Sequence, residues 1–280
     1  RLSVGAKSPL TGGIKESNSG GFVSQKLAKL GISALVLEDK PEDSGYSMIV
    51  IKENSVEILP ADEFNNKGNY EIMEKLWDSY GKKTGVLSIG QAGEQRLKAA
   101  SIQQADMNGR PGRAVGRGGL GAVMGSKKIK AILVDDSGAS RVEIKDSEGF
   151  KKANKKWVEM LRGHSVTGEG LPALGTAVLV NIINEAGAYP TKNFRDGRFD
   201  GAQATSGEKI AELIEKRGGI TTEGCHPGCV MKCSNVYHDK DNNFLTTGFE
   251  YETIWAMGAH TTIKEIDDIA MLDRLCDDFG

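Results

Sequence analysis

The chain has 280 residues, with 36 Lys+Arg against 38 Asp+Glu, 39% hydrophobic and 26% charged residues. This excludes wholesale disorder and a fibrous protein. A net charge of −2 argues against nucleic-acid binding, which shows as a basic excess or stripe. The greasiest runs (Ile32 to Leu37, Met48 to Ile51, Thr176 to Ile183) fall short of the ~18 apolar residues of a membrane span, so none is expected. Glycine is in excess: 36 residues, about 13% against a usual share of roughly 7%. Arg1 opens directly in an apolar segment and Gly280 follows a helical pattern, so the chain reads as an excerpt of a longer protein.

In chain order, the first half reads as strands with occasional helices. Strands are expected at Ile32 to Leu37, Ser47 to Lys52, Val56 to Leu59, Gly85 to Ile89 and Ile129 to Val134, separated by turn-forming clusters such as Lys40 to Gly45. Helical spacing marks Gly21 to Leu30 and Tyr70 to Tyr80. Beyond the polar stretch Asp135 to Ser140, helical patterns dominate: Glu148 to Arg162, Gly175 to Ala186, Ser206 to Lys216 with Ser206 as N-cap, Glu250 to Met257, and Lys264 to Phe279. The expectation is an α+β protein, with a β-rich domain over 1–136 and a mostly α-helical domain over 137–280. No internal repeat is visible.

Three stretches could carry chemistry. Arg113 to Lys127 mixes Gly116, Gly118, Gly119, Gly121 and Gly125 with Arg113, Arg117 and Lys127, the composition of a cradle for phosphate. Gly116 to Gly121 spells the dinucleotide fingerprint, but it precedes a strand and lacks that motif's strand-turn-helix setting. A flexible surface loop is the alternative. Ser8 to Gly21 is a second glycine-rich stretch, where Ser17, Asn18 and Ser19 could cap the following helix or help to hold an anion.

Cys225, Cys229 and Cys233 fall within nine residues, which is no extracellular disulfide framework. A reduced, cytosolic setting fits better. Three soft thiolates suit zinc or an iron–sulfur cluster, and Pro227-Gly228 breaks any continuous helix between them. His226 or His238 could complete a zinc site, and a cysteine beyond Gly280 could complete a cluster. Glu250 and Glu252 introduce an apolar run, where poor solvation raises a carboxyl pKa and suits proton transfer; acidic residues also simply favour helix N-termini. His164 and His260 carry no assigned role. Cys276 is expected at or near a buried helix face.

Taken together, Lys7 to Gly13, Ser17 to Gly21, Ile89 to Glu94, Gly116 to Lys127, Asn184 to Gly187, the cysteine cluster, Glu250 to Thr253 and Asp277 to Gly280 resemble the tungsten- or molybdenum-dependent aldehyde:ferredoxin oxidoreductase family. The resemblance implies an N-terminal domain of two β-sheets followed by helical domains. It also implies a tungsten or molybdenum bis-pyranopterin, a four-iron four-sulfur (4Fe–4S) cluster and magnesium. Arg1, Asn18 and Gly20 would contact pterin; Arg113, Ala114, Gly116 and Arg117 would hold its phosphates. Carbonyls of Asn18 and Ala114 would ligate the magnesium, and Asp277 would open a pterin motif. Cys225, Cys229 and Cys233 would bind the cluster, with the fourth ligand beyond residue 280. The first cysteine gap is three residues where the best-known members have two.

By the same resemblance, Glu250 would be the catalytic carboxylate. The implied reaction is oxidation of a small aldehyde to a carboxylic acid in an anaerobic cytoplasm, with electrons passing to ferredoxin or another carrier. The protein would be a homodimer or part of a larger redox complex. An aryl-CoA reductase subunit of the same family and a zinc-stabilised, non-enzymatic module are the alternatives.

Overall fold

A computed structural model describes residues 1–41 and 45–280; Glu42, Asp43 and Ser44 of the expected turn lie outside the described residues. The fold is mixed α+β. It divides into two compact units, Arg1–Glu143 with Cys276–Gly280, and Ile144–Leu275.

The first unit is built on a six-stranded sheet. Its strands are β3 (Ser47–Lys52), β4 (Ser55–Pro60), β5 (Gly85–Ser88), β6 (Ile102–Gln104), β7 (Arg113–Val115) and β8 (Ile129–Val134), in the order β4-β3-β8-β5-β6-β7. Only β3 and β8 pair in parallel. Strand side chains alternate between faces, so Met48 and Val50 join a core with Phe64, Ile72, Leu76 and Trp77, while Ile49 and Ile51 join Leu87, Leu120, Met124 and Ile132 on the other side. Burial on both faces explains why these strands are nearly uninterrupted apolar runs. The helices α1 (Val23–Lys29), α2 (Asn69–Tyr80), α3 (Gln91–Glu94) and α4 (Leu120–Ser126) belong to this unit. An antiparallel hairpin precedes them, β1 (Leu2–Lys7) with β2 (Ile14–Ser19).

Three local expectations need correcting. Ile32 to Leu37 is in no strand: the segment has no ladder partner among the described residues, and Ser33 to Leu37 instead line one wall of an apolar cavity of about 480 Å³ together with Leu2, Val4, Leu27, Leu120 and Met124. Ser17 to Ser19 lie in β2 and do not cap α1; the amide of Val23 donates to Gln104 Oε1 at 2.9 Å. The Arg–Gly stretch does have a strand before it and a helix after it, β7 and α4. However, β7 and β8 run in opposite directions, as follows from the antiparallel pairs between them, so this is no βαβ unit of the dinucleotide-binding kind.

In the second unit, α5 (Ser147–Gly163) buries no residue, whereas α6 (Leu171–Leu174), α7 (Leu179–Glu185), α8 (Gly207–Lys216), α9 (Tyr251–Thr253) and most of α10 (Ile266–Phe279) accompany a core of Tyr189, Phe199, Ile210, Ile214, Tyr237, Phe249, Ile254 and Ile269. Ser206 caps α8, accepting from the Lys209 amide at 3.2 Å. The helical reading left out a three-stranded antiparallel sheet: β9 (Ile220–Glu223), β10 (Ser234–His238) and β11 (Phe244–Thr247), in the order β11-β10-β9. By length and apolarity Ser165–Glu185 is a candidate membrane span, which qualifies the sequence expectation of none. The stretch changes pitch between π, α and 3₁₀ turns, and Gly175 (φ +62°) divides it.

Candidate functional site

In the first unit the hairpin is fastened to the Arg–Gly loop by hydroxyls. Ser19 Oγ donates to the Arg113 carbonyl at 2.9 Å, Ser17 Oγ accepts from the Arg117 amide at 3.2 Å, and Ser8 Oγ donates to the Gly118 carbonyl at 2.8 Å. From the neighbouring strand, Gln104 Nε2 donates to Ser19 Oγ at 3.1 Å and to the Gly20 carbonyl at 2.6 Å. These contacts bring the predicted residues Asn18, Gly20, Arg113, Ala114, Gly116 and Arg117 together. Arg1 joins them, because the hairpin register sets Leu2 opposite Ser19. Asn18, Ala114, Gly116 and Arg117 are exposed, whereas Arg113 and Gly20 are buried. Asn18 Nδ2 donates to Glu16 Oε1 at 2.5 Å.

The glycines of this loop divide by physical cause. A Cβ on Gly119 (φ +71°) would lie 1.9 Å from the Lys98 carbonyl oxygen, one on Gly121 2.1 Å from that of Ser101, and one on Gly125 2.0 Å from that of Gly93. Close packing of α4 therefore demands these three. Gly116 is different: its nearest neighbour would be the Ala114 side chain at 3.7 Å, so nothing in the protein requires glycine there. Exposed residues Ala114, Gly116 and Arg117 close together in sequence combine loop amides with a guanidinium, a donor set suited to phosphate.

Asp277 lies on a separate seam of the same unit. Asn69 Nδ2 donates to its carbonyl at 3.0 Å and to that of Asp278 at 3.2 Å, and Asn69 Oδ1 accepts from Ser88 Oγ at 2.7 Å. Gly90 presses on this seam, where a Cβ would come 2.2 Å from the Phe279 carbonyl oxygen.

In the second unit, Cys225, His226 and Cys229 put ligand atoms within 4.8 Å of one another. The stretch is a loop, with Gly228 at φ +79°. The Cys229 amide donates to the His226 carbonyl at 3.1 Å, and the Lys232 amide approaches Cys229 Sγ at 3.4 Å. Cys233 stands outside that group. Burial, then the like charges of Glu250, Cys225 and Cys229, push its thiol up to about 11. None of the four cysteines is in a disulfide among the described residues, and Cys276 is exposed rather than packed. His238 is engaged elsewhere, its Nδ1 3.0 Å from the Arg217 carbonyl.

Glu250 is half-buried at the start of α9. Asn235 fixes the approach to it, pairing with both the amide and the carbonyl of Phe249 at 3.0 Å. Thr176 Oγ1 donates to Glu250 Oε2 at 2.5 Å and accepts from the Tyr251 amide at 2.9 Å. Glu252 is exposed.

Sequence reasoning missed Thr176, Asn235 and a second carboxyl, Asp273. Asp273 is 8% exposed; it accepts from Thr246 Oγ1 at 2.6 Å and Thr253 Oγ1 at 3.0 Å. Burial, opposed by these hydroxyls and aided by the like charge of Glu250, pushes it up to about 7. The available signal was its place on the apolar stripe Ile266, Ile269, Ala270 and Asp273 of α10.

Residues 1–136 match the family described as aldehyde ferredoxin oxidoreductase, N-terminal domain, and residues 152–280 match aldehyde ferredoxin oxidoreductase, domains 2 and 3. The chain belongs to the aldehyde ferredoxin oxidoreductase family. It is 41% identical to a tungsten-containing aldehyde ferredoxin oxidoreductase of Thermococcus kodakarensis and 40% identical to that of Pyrococcus furiosus; each match covers 100% of this chain and 44% of the relative. A more distant match is the WOR-like subunit of an aliphatic sulfonate oxidoreductase from Pyrococcus furiosus, at 24% identity over 100% of this chain and 45% of the relative. The chain thus spans less than half the length of these relatives. Its fold is shared with the active site complex BamBC of benzoyl coenzyme A reductase, solved with 1,5-dienoyl-CoA. The TM-score is 0.73 and the identity 22%, covering 99% of this chain and 42% of that one.

Proposed function

We propose that the protein of which this chain is part oxidises an aldehyde to a carboxylic acid, with water supplying the oxygen and electrons leaving singly through a 4Fe–4S cluster to ferredoxin or a similar carrier. Family membership is the observation that carries this reading. The residues present suit the implied groups: three cysteines within nine residues, two of them converging with His226, for a cluster, and the exposed residues Ala114, Gly116 and Arg117 for the phosphates. A tungsten or molybdenum bis-pyranopterin, when bound, supplies the two-electron chemistry.

In this reading Arg113 and Arg117 hold the pterin phosphates, with Ala114 and Gly116 giving backbone contact. Arg1, Asn18 and Gly20 bound the pterin, and Asp277 offers it a hydrogen-bond acceptor. The carbonyls of Asn18 and Ala114 serve magnesium. Cys225, Cys229 and Cys233 supply thiolates to the cluster. Glu250 takes a proton from the attacking water and returns it to solvent, while Thr176 holds its Oε2 in one orientation. Cysteines without a disulfide among the described residues suit a reducing cytoplasm.

The test is elemental analysis and assay of the full-length protein purified without oxygen. Tungsten or molybdenum together with iron, and aldehyde-dependent reduction of ferredoxin, are expected; protein containing neither tungsten nor molybdenum sinks the reading. Glu250→Gln should lower kcat/KM by about a hundred- to ten-thousandfold with the metals retained. A preference for aryl-CoA over aldehydes would move the reaction to ring reduction. The grouping of His226 with Cys225 and Cys229 favours zinc as the second reading, which predicts stoichiometric zinc and no iron–sulfur absorption.

A further inference from the structure

Gln104 of β6 has no part in the scheme above, yet it ties the hairpin, α1 and the Arg–Gly loop together. It is fully buried. Its Nε2 donates to the Gly20 carbonyl at 2.6 Å and to Ser19 Oγ at 3.1 Å, and its Oε1 accepts from the Val23 amide at 2.9 Å. Arg113 lies directly opposite on β7, so the two side chains stand on one face of the sheet. A carbonyl can only accept and a backbone N–H can only donate, so Gly20 and Val23 fix which end of the amide is which. Ser19 Oγ donates to the Arg113 carbonyl at 2.9 Å. A hydroxyl has one hydrogen to give, so Ser19 receives from Gln104 and gives to Arg113. A directed chain of bonds thus runs from Gln104 through Ser19 to the base of the Arg–Gly loop. Gly21 (φ +74°) leaves the room for it, since a Cβ there would lie 2.4 Å from Gln104 Cδ.

We infer that Gln104 is a positioning residue for the pterin phosphates: its amide sets the hairpin end against the base of the Arg–Gly loop, so that Asn18 and Gly20 meet the bound group together with Ala114, Gly116 and Arg117. The role demands a side chain of this length that gives two hydrogens and accepts one without charge, which is the chemistry of glutamine. Asparagine makes the same bonds one methylene too short. A glutamate has the right shape and, as a carboxylate, no hydrogen to give. The Gly20 carbonyl would then lose its donor, and the Ser19 hydroxyl would turn to the carboxylate and release Arg113. Ser17 and Ser8 fasten the far end of the loop by separate bonds, so the loosening is confined to its base. The inference rests on the reading that this loop takes the cofactor phosphates, but half of its test is read on the protein backbone.

The experiment uses the full-length protein purified without oxygen and compares the parent with Gln104→Glu, Gln104→Met and Ser19→Ala. Two quantities are read: amide hydrogen exchange, and pterin, tungsten and molybdenum per chain. Exchange at residues 113–116 should quicken by about tenfold in each variant, with β3, β8 and the second unit unchanged. Retained pterin should fall by about fivefold or more. Adding Ser19→Ala to Gln104→Met should cost nothing further, because both break the same chain of bonds. Exchange that is unaltered at 113–116, or quickened throughout the six-stranded sheet, overturns the inference. A loaded parent whose variants keep their full load overturns it while leaving the proposed function intact, whereas a parent with neither pterin nor metal defeats both. If Gln104→Glu does not fold, Gln104→Met and Ser19→Ala, which bury no charge, decide.

Discussion

At the scale of single residues, the Arg–Gly loop separates two uses of glycine. Gly119 adopts a left-handed φ and its Cβ position is occupied by the Lys98 carbonyl. Gly119→Ala should therefore cost about 2 kcal/mol or more. Gly116→Ala meets no such obstacle and should leave stability within about 0.5 kcal/mol. Denaturant unfolding of the two variants checks both. If Gly116→Ala weakens phosphate-bearing cofactor retention while folding normally, the residue serves the ligand rather than the fold. From sequence the five glycines were indistinguishable, because the carbonyls that exclude a side chain come from residues far along the chain.

At the scale of elements, two carboxylates and three lysines tie helices to the sheet and its flank. Lys130 of β8 is fully buried and pairs with Glu94 of α3, which also accepts from the Asn66 amide at 3.0 Å. Lys130→Met leaves a carboxylate without its cation and should cost about 3–5 kcal/mol, whereas Lys130→Met with Glu94→Leu should recover much of the loss; equilibrium unfolding reads both. Lys26 and Lys29 of α1 both reach Asp136, just past β8. Burial alone would raise this carboxyl, but the hydrogen bonds of the two lysines hold it below its ordinary 3.8. The unfolded chain then binds the proton more readily, so the pair's contribution is present above that ordinary value and lost as pH falls through the lower folded one. Asp136→Asn should destabilise the protein at neutral pH and lose its effect in acid, as urea unfolding across pH would show.

Elements also differ in how legible they were. β3 and β8 announced themselves because both faces are buried. β2, Ile14-Lys-Glu-Ser-Asn-Ser19, is polar and owes its form to pairing with β1, while β6 and β7 span three residues each, too short for a periodic signal. α4 contains two glycines and reads as loop; close packing against the carbonyls of Ser101 and Gly93 makes them an advantage. Ile32 to Leu37 has the composition of a strand without a neighbour to pair with, and composition cannot supply one.

For the whole molecule, the cysteines, Glu250 and the Arg–Gly loop were legible in the sequence as candidates for chemistry. Asp273 and Thr176 were not, because their partners are brought in from 20 and 74 positions away. The chain passes between the two compact units twice, within α10 after Leu275 and through exposed chain around residues 137–146. Limited trypsin treatment should cut first at Arg141 or Lys145, with two resistant fragments on a gel; first cleavage within the β-sheet would contradict the division. The serine clasp on the Arg–Gly loop has a consequence for assembly. Ser8, Ser17 and Ser19 hold the loop through the protein's own bonds. On the proposed reading, in which this loop takes the cofactor phosphates, little ordering entropy would remain to be lost on loading, and insertion of the group would follow folding as a late step of maturation.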